Sequence, residues 1–120
     1  MGYRSDVVLA IDAKLVPALM TVFAKCEATQ QLCTQNCDEL DTDYNGEGNW
    51  FMRWDSIKWY ESYPDVQIIE NIMVMCDNVD ISGLAYDSYG FIRIGEELED
   101  IEQKGDTSAF DLYVNRSIEI

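Results

Sequence analysis

One short motif has the residue types and spacing of a cation-binding loop. It is Asp41-x-Asp43-x-Asn45-Gly46, the pattern of the first half of a Ca²⁺-binding loop, where oxygen ligands alternate and glycine allows a sharp turn. The second half departs from that pattern, because Met52 stands at the twelfth position, where the loop needs a bidentate Glu. The segment is also typical of a solvated hairpin tip. A weak calcium site is therefore an alternative, with candidate ligands Asp41, Asp43, Asn45 and Glu47.

Two segments of the chain are rich in carboxylates. The first contains Asp38, Glu39, Asp41, Asp43 and Glu47, and the second contains Glu96, Glu97, Glu99, Asp100 and Glu102. An acidic run usually serves only as a solvated surface that keeps a protein soluble. Carboxylates on a rigid surface can also imitate a phosphate backbone, since duplex DNA carries about one charge per 1.7 Å of axis. These residues are therefore candidates for binding a partner.

The overall charge narrows the classes of partner. The 120 residues include 23 acidic and 8 basic side chains and no His, which gives a net charge of −15. Eight scattered basic residues cannot neutralise a run of phosphates, so direct binding to nucleic acid is not expected. Anionic membrane surfaces are disfavoured by the same sign of charge. Cations and basic protein surfaces remain favourable partners.

Residues for catalysis are poorly represented. The lack of His removes His-dependent triads and His-ligated metal sites. Gly46-Glu47-Gly48 lacks the third glycine and the lysine of a phosphate-binding loop. Paired carboxylates could perform acid–base chemistry, but any acidic protein supplies such pairs. We therefore predict a protein that is not an enzyme and that needs no cofactor.

The four cysteines are Cys26, Cys33, Cys37 and Cys76, and no two of them have CxxC spacing. On an unbroken helix the first three would lie near one stripe. That stripe is more typical of small apolar residues facing a core than of a thiolate metal cluster. The sequence has no export-signal pattern and no apolar run long enough to span a membrane. We therefore expect a cytoplasmic protein whose cysteines are thiols.

Aromatic residues make up 12% of the chain. Trp50, Trp54, Trp59 and Tyr60 cluster in one segment, and Tyr89 adjoins a predicted turn. Trp in a small sheet most often packs in the core, but Trp and Tyr are also favoured anchors at protein–protein interfaces. We expect Trp54 or Tyr89 to be exposed as such an anchor.

Hydrophobic periodicity and turn signals divide the chain into strands and helices. The apolar run Val7–Ile11 is typical of a strand buried on both faces, and Pro64 suits the first turn of a helix. Aromatic residues lie on both faces of the segment after the Asn45-Gly46 turn, and a bulge or bend near Asp55-Ser56 would change its register. In order, the pattern predicts a strand over 3–11, a helix over 13–35, a hairpin over 38–60, a helix from 62 to about 78, a hairpin of strands 81–87 and 90–94, a loop or short helical turn over 96–102, and a strand from 110 to about 120.

These elements predict a single α+β domain over residues 1–120. Two helices would pack on one face of a mostly antiparallel sheet. The order of elements corresponds to a split βαβ, ferredoxin-like arrangement extended by C-terminal strands.

Two stretches of the sequence resemble a known group of proteins. Met1-Gly-Tyr-Arg-Ser-Asp-Val-Val is similar to the start of small uncharacterised proteins encoded by tailed bacteriophages. Tyr89-Gly-Phe-Ile-Arg-Ile-Gly-Glu-Glu-Leu-Glu-Asp-Ile-Glu is similar to a later segment in some of them. The resemblance implies that the protein acts during phage infection of a host. Small acidic phage proteins are often inhibitors of host machinery, including anti-CRISPR and other anti-defence factors, and some act as nucleic-acid mimics.

The sequence therefore favours an inhibitor or modulator that binds a basic, nucleic-acid-binding surface of a host defence protein, such as a CRISPR–Cas protein, in the host cytoplasm. The carboxylates of the two acidic segments would supply charge complementarity, and Trp54 or Tyr89 would anchor the contact. Two alternatives remain open. One is a small calcium-binding module that uses the loop from Asp41 to Asn49, and the other is a structural or assembly protein of a phage particle.

Overall fold

Three helices and a five-stranded antiparallel sheet make up the described part of the chain. The computed structural model describes residues 3–44, 46–60, 62–77, 89–97, 99–105, 110 and 112. The elements are β1 (Ser5–Ile11), α1 (Val16–Lys25), α2 (Glu27–Thr34), β2 (Glu39–Tyr44), β3 (Asn49–Ile57), α3 (Pro64–Asp77), β4 (Tyr89–Ile94) and β5 (Ile101–Gly105). The predicted α+β class is confirmed.

The strands lie in the order β2-β3-β1-β4-β5, and every neighbouring pair is antiparallel. β1 is the central strand, with Val8 opposite Arg53 of β3 on one side and opposite Ile92 of β4 on the other. In the described sheet, β2 and β5 form the two edges. The position of β1 explains its continuous apolar run, because a central strand covered on both faces has no side in contact with water.

The helices pack on one face of the sheet. Val7, Leu9 and Ile11 of β1 lie in a core cluster that also contains the buried side chains of all three helices. The other side chains of β1 face the opposite side of the sheet, because successive residues of a strand alternate. There Ala10 lies in a second cluster with Ile92, Phe110 and Leu112. The predicted placement of the helices on one face is confirmed.

The predicted helix over 13–35 is two helices, because the chain leaves the helical conformation at Cys26. The backbone there has φ −139° and ψ 99°, which is extended. The N–H of Cys26 closes α1 by donating to the carbonyl oxygen of Val22, and Glu27 begins α2. An acidic residue in a first helical turn is favourable beside the helix dipole. Cys26, Cys33 and Cys37 would share one stripe only on an unbroken helix, and the break at Cys26 means that this condition is not met.

β3 contains a bulge at Asp55-Ser56. Ser5 of β1 pairs with Ile57, whereas Val7 pairs with Trp54, so β3 contains one residue more than β1 over this interval. Ser56 adopts φ 56°, the left-handed region that is unfavourable for a residue with a side chain. The extra residue returns Ile57 to the helix side of the sheet, where it packs against the core.

The run over 96–102, predicted as a loop or short helical turn, contains the start of a strand. β5 begins at Ile101 and pairs with β4 along its whole length, from Ile94–Ile101 to Gly90–Gly105. β5 ends at Gly105 with φ +70°, where a side chain would meet the carbonyl oxygen of Tyr89 at 2.4 Å. β4 confirms the predicted strand over 90–94. The predicted strand over 81–87 and most of the one from 110 to about 120 lie outside the described residues.

Candidate partner-binding surface

The strand directions bring carboxylates of both acidic segments to one end of the sheet. β1, β2 and β5 begin at this end, and β3 and β4 finish there, as the pairs Ser5–Ile57 and Ile94–Ile101 require. We call this end of the sheet the acidic end. Its carboxylates belong to Asp6, Asp38, Glu39, Asp55, Glu96, Glu97, Glu99, Asp100 and Glu102.

The acidic end crosses the full width of the described sheet. Asp38 and Glu39 lie at the β2 edge, Asp55 and Asp6 lie in β3 and β1, and the remaining carboxylates lie in the β4–β5 connection and in β5. Five strands leave four gaps between neighbours, so the width is about 19 Å at roughly 4.8 Å for each gap. Asp6 and Asp55 stand outside the two acidic runs, and only the strand order reveals that they belong to this surface.

Three of the predicted binding residues lie away from the acidic end. β2 runs toward the opposite end of the sheet, where its last residue Tyr44 pairs with Asn49. Asp41 Oδ1 accepts a hydrogen bond from the N–H of Asp43 at 2.9 Å, and Asp43 Oδ1 accepts one from the N–H of Gly48 at 2.8 Å. These carboxylates therefore stabilise the turn, and Glu47 lies exposed at the same tip.

The geometry of this turn does not add support for calcium. Gly46 and Gly48 have φ +70° and +76°, so glycine is needed there for the turn itself. Asn45, one of the four predicted ligands, lies outside the described residues. Within the described ranges, no group of three or more His, Cys, Asp or Glu side chains is arranged to hold a metal ion.

Two arginines each bridge two carboxylates at the acidic end. Arg53 of β3 donates through Nε to Glu39 at 3.1 Å and also pairs with Asp55. Arg93 of β4 pairs with Asp100 at 2.8 Å and, through Nε, with Glu102 at 3.1 Å. Hydrogen bonds to these carboxylates raise the pKa of both guanidinium groups. Each cation therefore leaves its own pair of carboxylates with a net negative charge.

Carboxylates also hold the bulge of β3 in place. Asp6 Oδ1 accepts a hydrogen bond from the N–H of Ser56 at 2.9 Å, and Asp38 Oδ2 accepts one from the N–H of Asp55 at 2.6 Å. On the other side, Arg4 Nη1 donates to the carbonyl oxygen of Ser56 at 2.9 Å. The bulge is thus fixed by residues from β1, the start of β2 and the N-terminal segment.

The two predicted aromatic anchors are buried, so the expectation that one of them is exposed was wrong. Trp54 and Tyr89 have 0% exposure. Trp54 shares its face of β3 with Met52, and its Nε1 donates to the carbonyl oxygen of Leu32 at 2.9 Å beneath the helices. Tyr3, Tyr60 and Tyr63 lie near the surface at this end, and the ring centroids of Tyr60 and Tyr63 are 5.2 Å apart. Tyr63 is 40% exposed.

Two cavities open beside the acidic end on the helix side of the sheet. The first, of about 440 Å³, lies against the bulge, between the β3 end and the start of α3. The second, of about 490 Å³, lies toward the β5 edge, and we call it the aromatic pocket. The aromatic pocket is lined by Tyr3, Trp59, Tyr60, Glu70, Arg93, Asp100 and Glu102.

The described cysteines are free thiols in different surroundings. Cys33 is fully buried in the core, and burial raises the pKa of its thiol. Burial also raises the pKa of Cys37, which is half-buried. Cys26 differs, because a hydrogen bond from the Thr29 hydroxyl at 3.3 Å lowers its pKa.

No family, no curated protein and no solved structure matches this chain. Among the described residues, no helix combines the length and the apolar character needed to cross a bilayer.

Proposed function

We propose that this protein binds a basic protein surface through the acidic end of its sheet. The observation that carries the proposal is that the second acidic segment, Asp38 and Glu39 of the first, and Asp6 and Asp55 all lie at one end of the five-stranded sheet. A continuous field of one sign steers a partner of opposite charge and fixes its orientation. A single acidic run in a loop would have no such width.

The excess of negative charge at this end supports the proposal. Arg53 and Arg93 together contact four carboxylates, so neutralisation within the surface is incomplete. The exposed carboxylates of Glu96, Glu97 and Glu99 extend the surface beyond the ends of the strands. A width of about 19 Å lets a basic partner surface contact several of these carboxylates at once.

The resemblance to tailed-phage proteins suggests the class of target. We propose a nucleic-acid-binding protein of host defence, with CRISPR–Cas proteins as one example, and with imitation of nucleic acid as the mechanism. The site of action would be the host cytoplasm. The carboxylates of the hairpin tip already stabilise the turn, so they give the calcium module no specific support. The described residues likewise provide no specific observation in favour of a phage structural protein.

We also propose that β1 to β4 form the split βαβ, ferredoxin-like arrangement, to which β5 is added. The support is the antiparallel order β2-β3-β1-β4. In that order β3 lies between β1 and β2, which run parallel to each other. An experimental structure with another order for these four strands would contradict this assignment.

The proposed function is tested by capture of a partner from host lysate at low salt. Bound protein is eluted with a salt step or with duplex DNA or RNA, and then identified. We expect a nucleic-acid-binding protein that both treatments release, because both compete for the same charges. A partner released by neither treatment would contradict the mechanism.

The captured partner then allows a test with matched charge variants. Glu97→Gln/Glu99→Gln removes two charges from the acidic end, whereas Glu27→Gln/Glu47→Gln removes two exposed charges elsewhere. Exposed charges contribute about 0.2–1 kcal/mol each, so we expect the first variant to bind roughly two- to thirtyfold more weakly. We expect the control variant to retain its affinity within about twofold. Equal losses in both variants would show that only total charge matters.

A further inference from the structure

The structure points to a binding site for one side chain of the partner. We propose that the aromatic pocket receives the guanidinium or ammonium group of an arginine or lysine from the partner protein. The proposal rests on the proposed function, since it assigns a specific contact to the acidic end. The pocket lies beside the β4–β5 connection, where the second acidic segment meets the sheet.

The walls of the aromatic pocket fit an organic cation. Tyr3 and Tyr60 line the pocket with partly exposed rings, and Trp59 lines it as a side chain only 7% exposed that also packs against Trp54 and Phe91. A guanidinium or ammonium group within about 6 Å of a ring centroid is attracted by the negative face of the ring. Alkyl stems of Arg and Lys also pack well against aromatic surface. The rings would therefore hold both the charged group and part of its stem.

The charges around the aromatic pocket favour a cation over an anion. Glu70, Asp100 and Glu102 supply three carboxylates, against the two cations Arg93 and Lys104 that pair with them. One negative charge is left in excess. A carboxylate has about four lone-pair sites, so these groups can accept further hydrogen bonds from a bound cation.

Arg93 itself is already engaged and is a poor ligand for an anion. Its Nε donates to Glu102 at 3.1 Å, and its Nη2 donates to Asp100 at 2.8 Å. Its Nη1 donates to the hydroxyl of Ser5 at 3.0 Å and to Asp100 at 3.2 Å. An anion that entered the aromatic pocket would have to displace these partners, whereas a cation would not.

A buried carboxylate marks the aromatic pocket as a preformed site. Glu70 of α3 is only 7% exposed, yet it lines the cavity. Its Oε2 accepts a hydrogen bond from Trp59 Nε1 at 3.0 Å, and its Oε1 accepts one from Lys104 Nζ at 2.5 Å. These bonds fix both the carboxylate and the indole ring before any ligand arrives. Such preorganisation lowers the entropy lost on binding.

The direct test is a titration of the intact protein with ethylguanidinium, followed by NMR of the indole N–H of Trp59. N-ethylurea, a neutral molecule of similar shape, is the control ligand. A fragment of this size is expected to bind with a dissociation constant of roughly millimolar order. We expect saturable shifts of the Trp59 signal with ethylguanidinium and none with N-ethylurea. Equal shifts with both ligands, or none with either, would overturn the proposal.

Two glutamates of the sheet provide a matched pair of variants. Glu102 and Glu39 both accept from the Nε of an arginine on the neighbouring strand at 3.1 Å, but only Glu102 lines the aromatic pocket. Glu102→Gln should weaken ethylguanidinium binding about two- to fivefold, the effect of one partly exposed charge. Glu39→Gln should leave it unchanged. An equal effect of the two variants would refute the assignment of the pocket.

The failure of this inference can be distinguished from failure of the proposed function. Tyr60→Ala removes a half-buried ring of the pocket without changing charge. If a captured partner binds Tyr60→Ala as tightly as the native protein and loses no more affinity with Glu102→Gln than with Glu39→Gln, the acidic end is the binding surface and the pocket is not used. If ethylguanidinium binds the pocket but no captured partner is released by salt or by nucleic acid, the assignment of the pocket is supported and the proposed function is contradicted.

Discussion

Replacement of Lys104 by Met is expected to destabilise the fold, because Lys104 pairs with the most buried carboxylate described. The Glu70 side chain is 10% exposed and that of Lys104 is 24% exposed. Loss of one partner of a fully buried pair costs about 3–5 kcal/mol, and an exposed pair is worth about 0.2–1 kcal/mol. The remaining hydrogen bond from Trp59 to Glu70 stays in place. We therefore expect a loss of about 2–3 kcal/mol, between these two limits.

The assay is urea unfolding at pH 7 together with thermal melting. For a chain of this length, each kcal/mol shifts the melting temperature by about 4 °C, so a fall of about 8–12 °C is expected. Lys14→Met is the control, since Lys14 is exposed and its loss should change stability by less than about 0.5 kcal/mol. Lys104 Nζ also lies 5.5 Å from the centroid of the Phe91 ring, so Met removes this cation–π contact together with the ion pair. The effect can then be assigned to the lost charge.

A double-mutant cycle with Glu70→Gln isolates the ion pair. The doubly substituted protein should be more stable than Lys104→Met alone, because it no longer buries an uncompensated carboxylate. Equal stability of Lys104→Met and Lys14→Met, or no coupling in the cycle, would refute the reasoning.

The pH dependence gives an independent check. Burial lowers the pKa of Lys104, but the hydrogen bond and charge of Glu70, with those of Glu102, outweigh it and raise the pKa overall. A raised lysine pKa stabilises the fold fully below the unfolded value of about 10.4 and loses that effect as pH rises through the folded pKa. The difference between the native protein and Lys104→Met should therefore persist from neutral pH to about pH 10 and shrink above it.

Two further substitutions and one labelling reaction test the backbone conformation and the surroundings of the cysteines. Ser56→Gly should stabilise the protein by roughly 0.5–1 kcal/mol in urea unfolding, because glycine adopts φ 56° without strain; a loss of stability would contradict the strain assigned there. Gly105→Ala should cost about 2 kcal/mol or more, because the new methyl group would meet a β4 carbonyl oxygen at 2.4 Å, and an unchanged midpoint would contradict that contact. In alkylation near neutral pH with mass spectrometry, Cys26 should react before Cys33, since the Thr29 hydroxyl lowers the pKa of the first thiol and burial raises that of the second. Faster labelling of Cys33 would show that the core opens.

The elements with strong apolar periodicity could be predicted from the sequence. The run Val7–Ile11 identified a central strand, and the Asn45-Gly46 turn identified the hairpin. Pro64 marked the start of α3. The strand after the turn has aromatic residues on both faces, and the bulge at Asp55-Ser56 changes its register. In each case the local pattern and the tertiary packing require the same conformation.

The missed features depend on tertiary contacts. β5 has the polar sequence Ile101-Glu-Gln-Lys-Gly, which carries little strand preference of its own. It is a strand because its residues pair with β4 and because Glu102 faces Arg93. The break at Cys26 likewise has no glycine or proline to announce it. Helical periodicity continues through the break, so it predicts one helix where the packing requires two.

The sequence could predict that carboxylates form the candidate site, but not which carboxylates lie together. Composition identified carboxylates as the relevant groups, whereas the strand order determines which of them share an end. Because of that order, Asp6 and Asp55 lie at the acidic end, whereas Asp41 and Asp43 lie away from it. Trp54 had the same parity as Met52 in the sequence, but only the position of the helices shows that this face is covered.

The cations that join the edge strands to the sheet neutralise only part of the negative charge at the acidic end. Added salt should therefore change the melting temperature and the affinity for a basic partner in opposite directions. Among the described residues, Arg53, Arg93 and Lys104 each contact two carboxylates, and the Glu39–Arg53 and Glu102–Arg93 pairs join β2 and β5 to their neighbours. With a net charge of −15, repulsion between carboxylates should outweigh these few pairs. Between about 0.05 M and 0.5 M NaCl, screening of that repulsion should raise the melting temperature by a few degrees.

Binding of a basic partner should weaken over the same range of salt, because the attraction is screened as well. The two opposite trends separate loss of affinity from loss of folding in a single titration. A melting temperature that falls with salt would mean that the ion pairs dominate the fold. In that case the acidic end would carry less uncompensated charge than the proposed function requires.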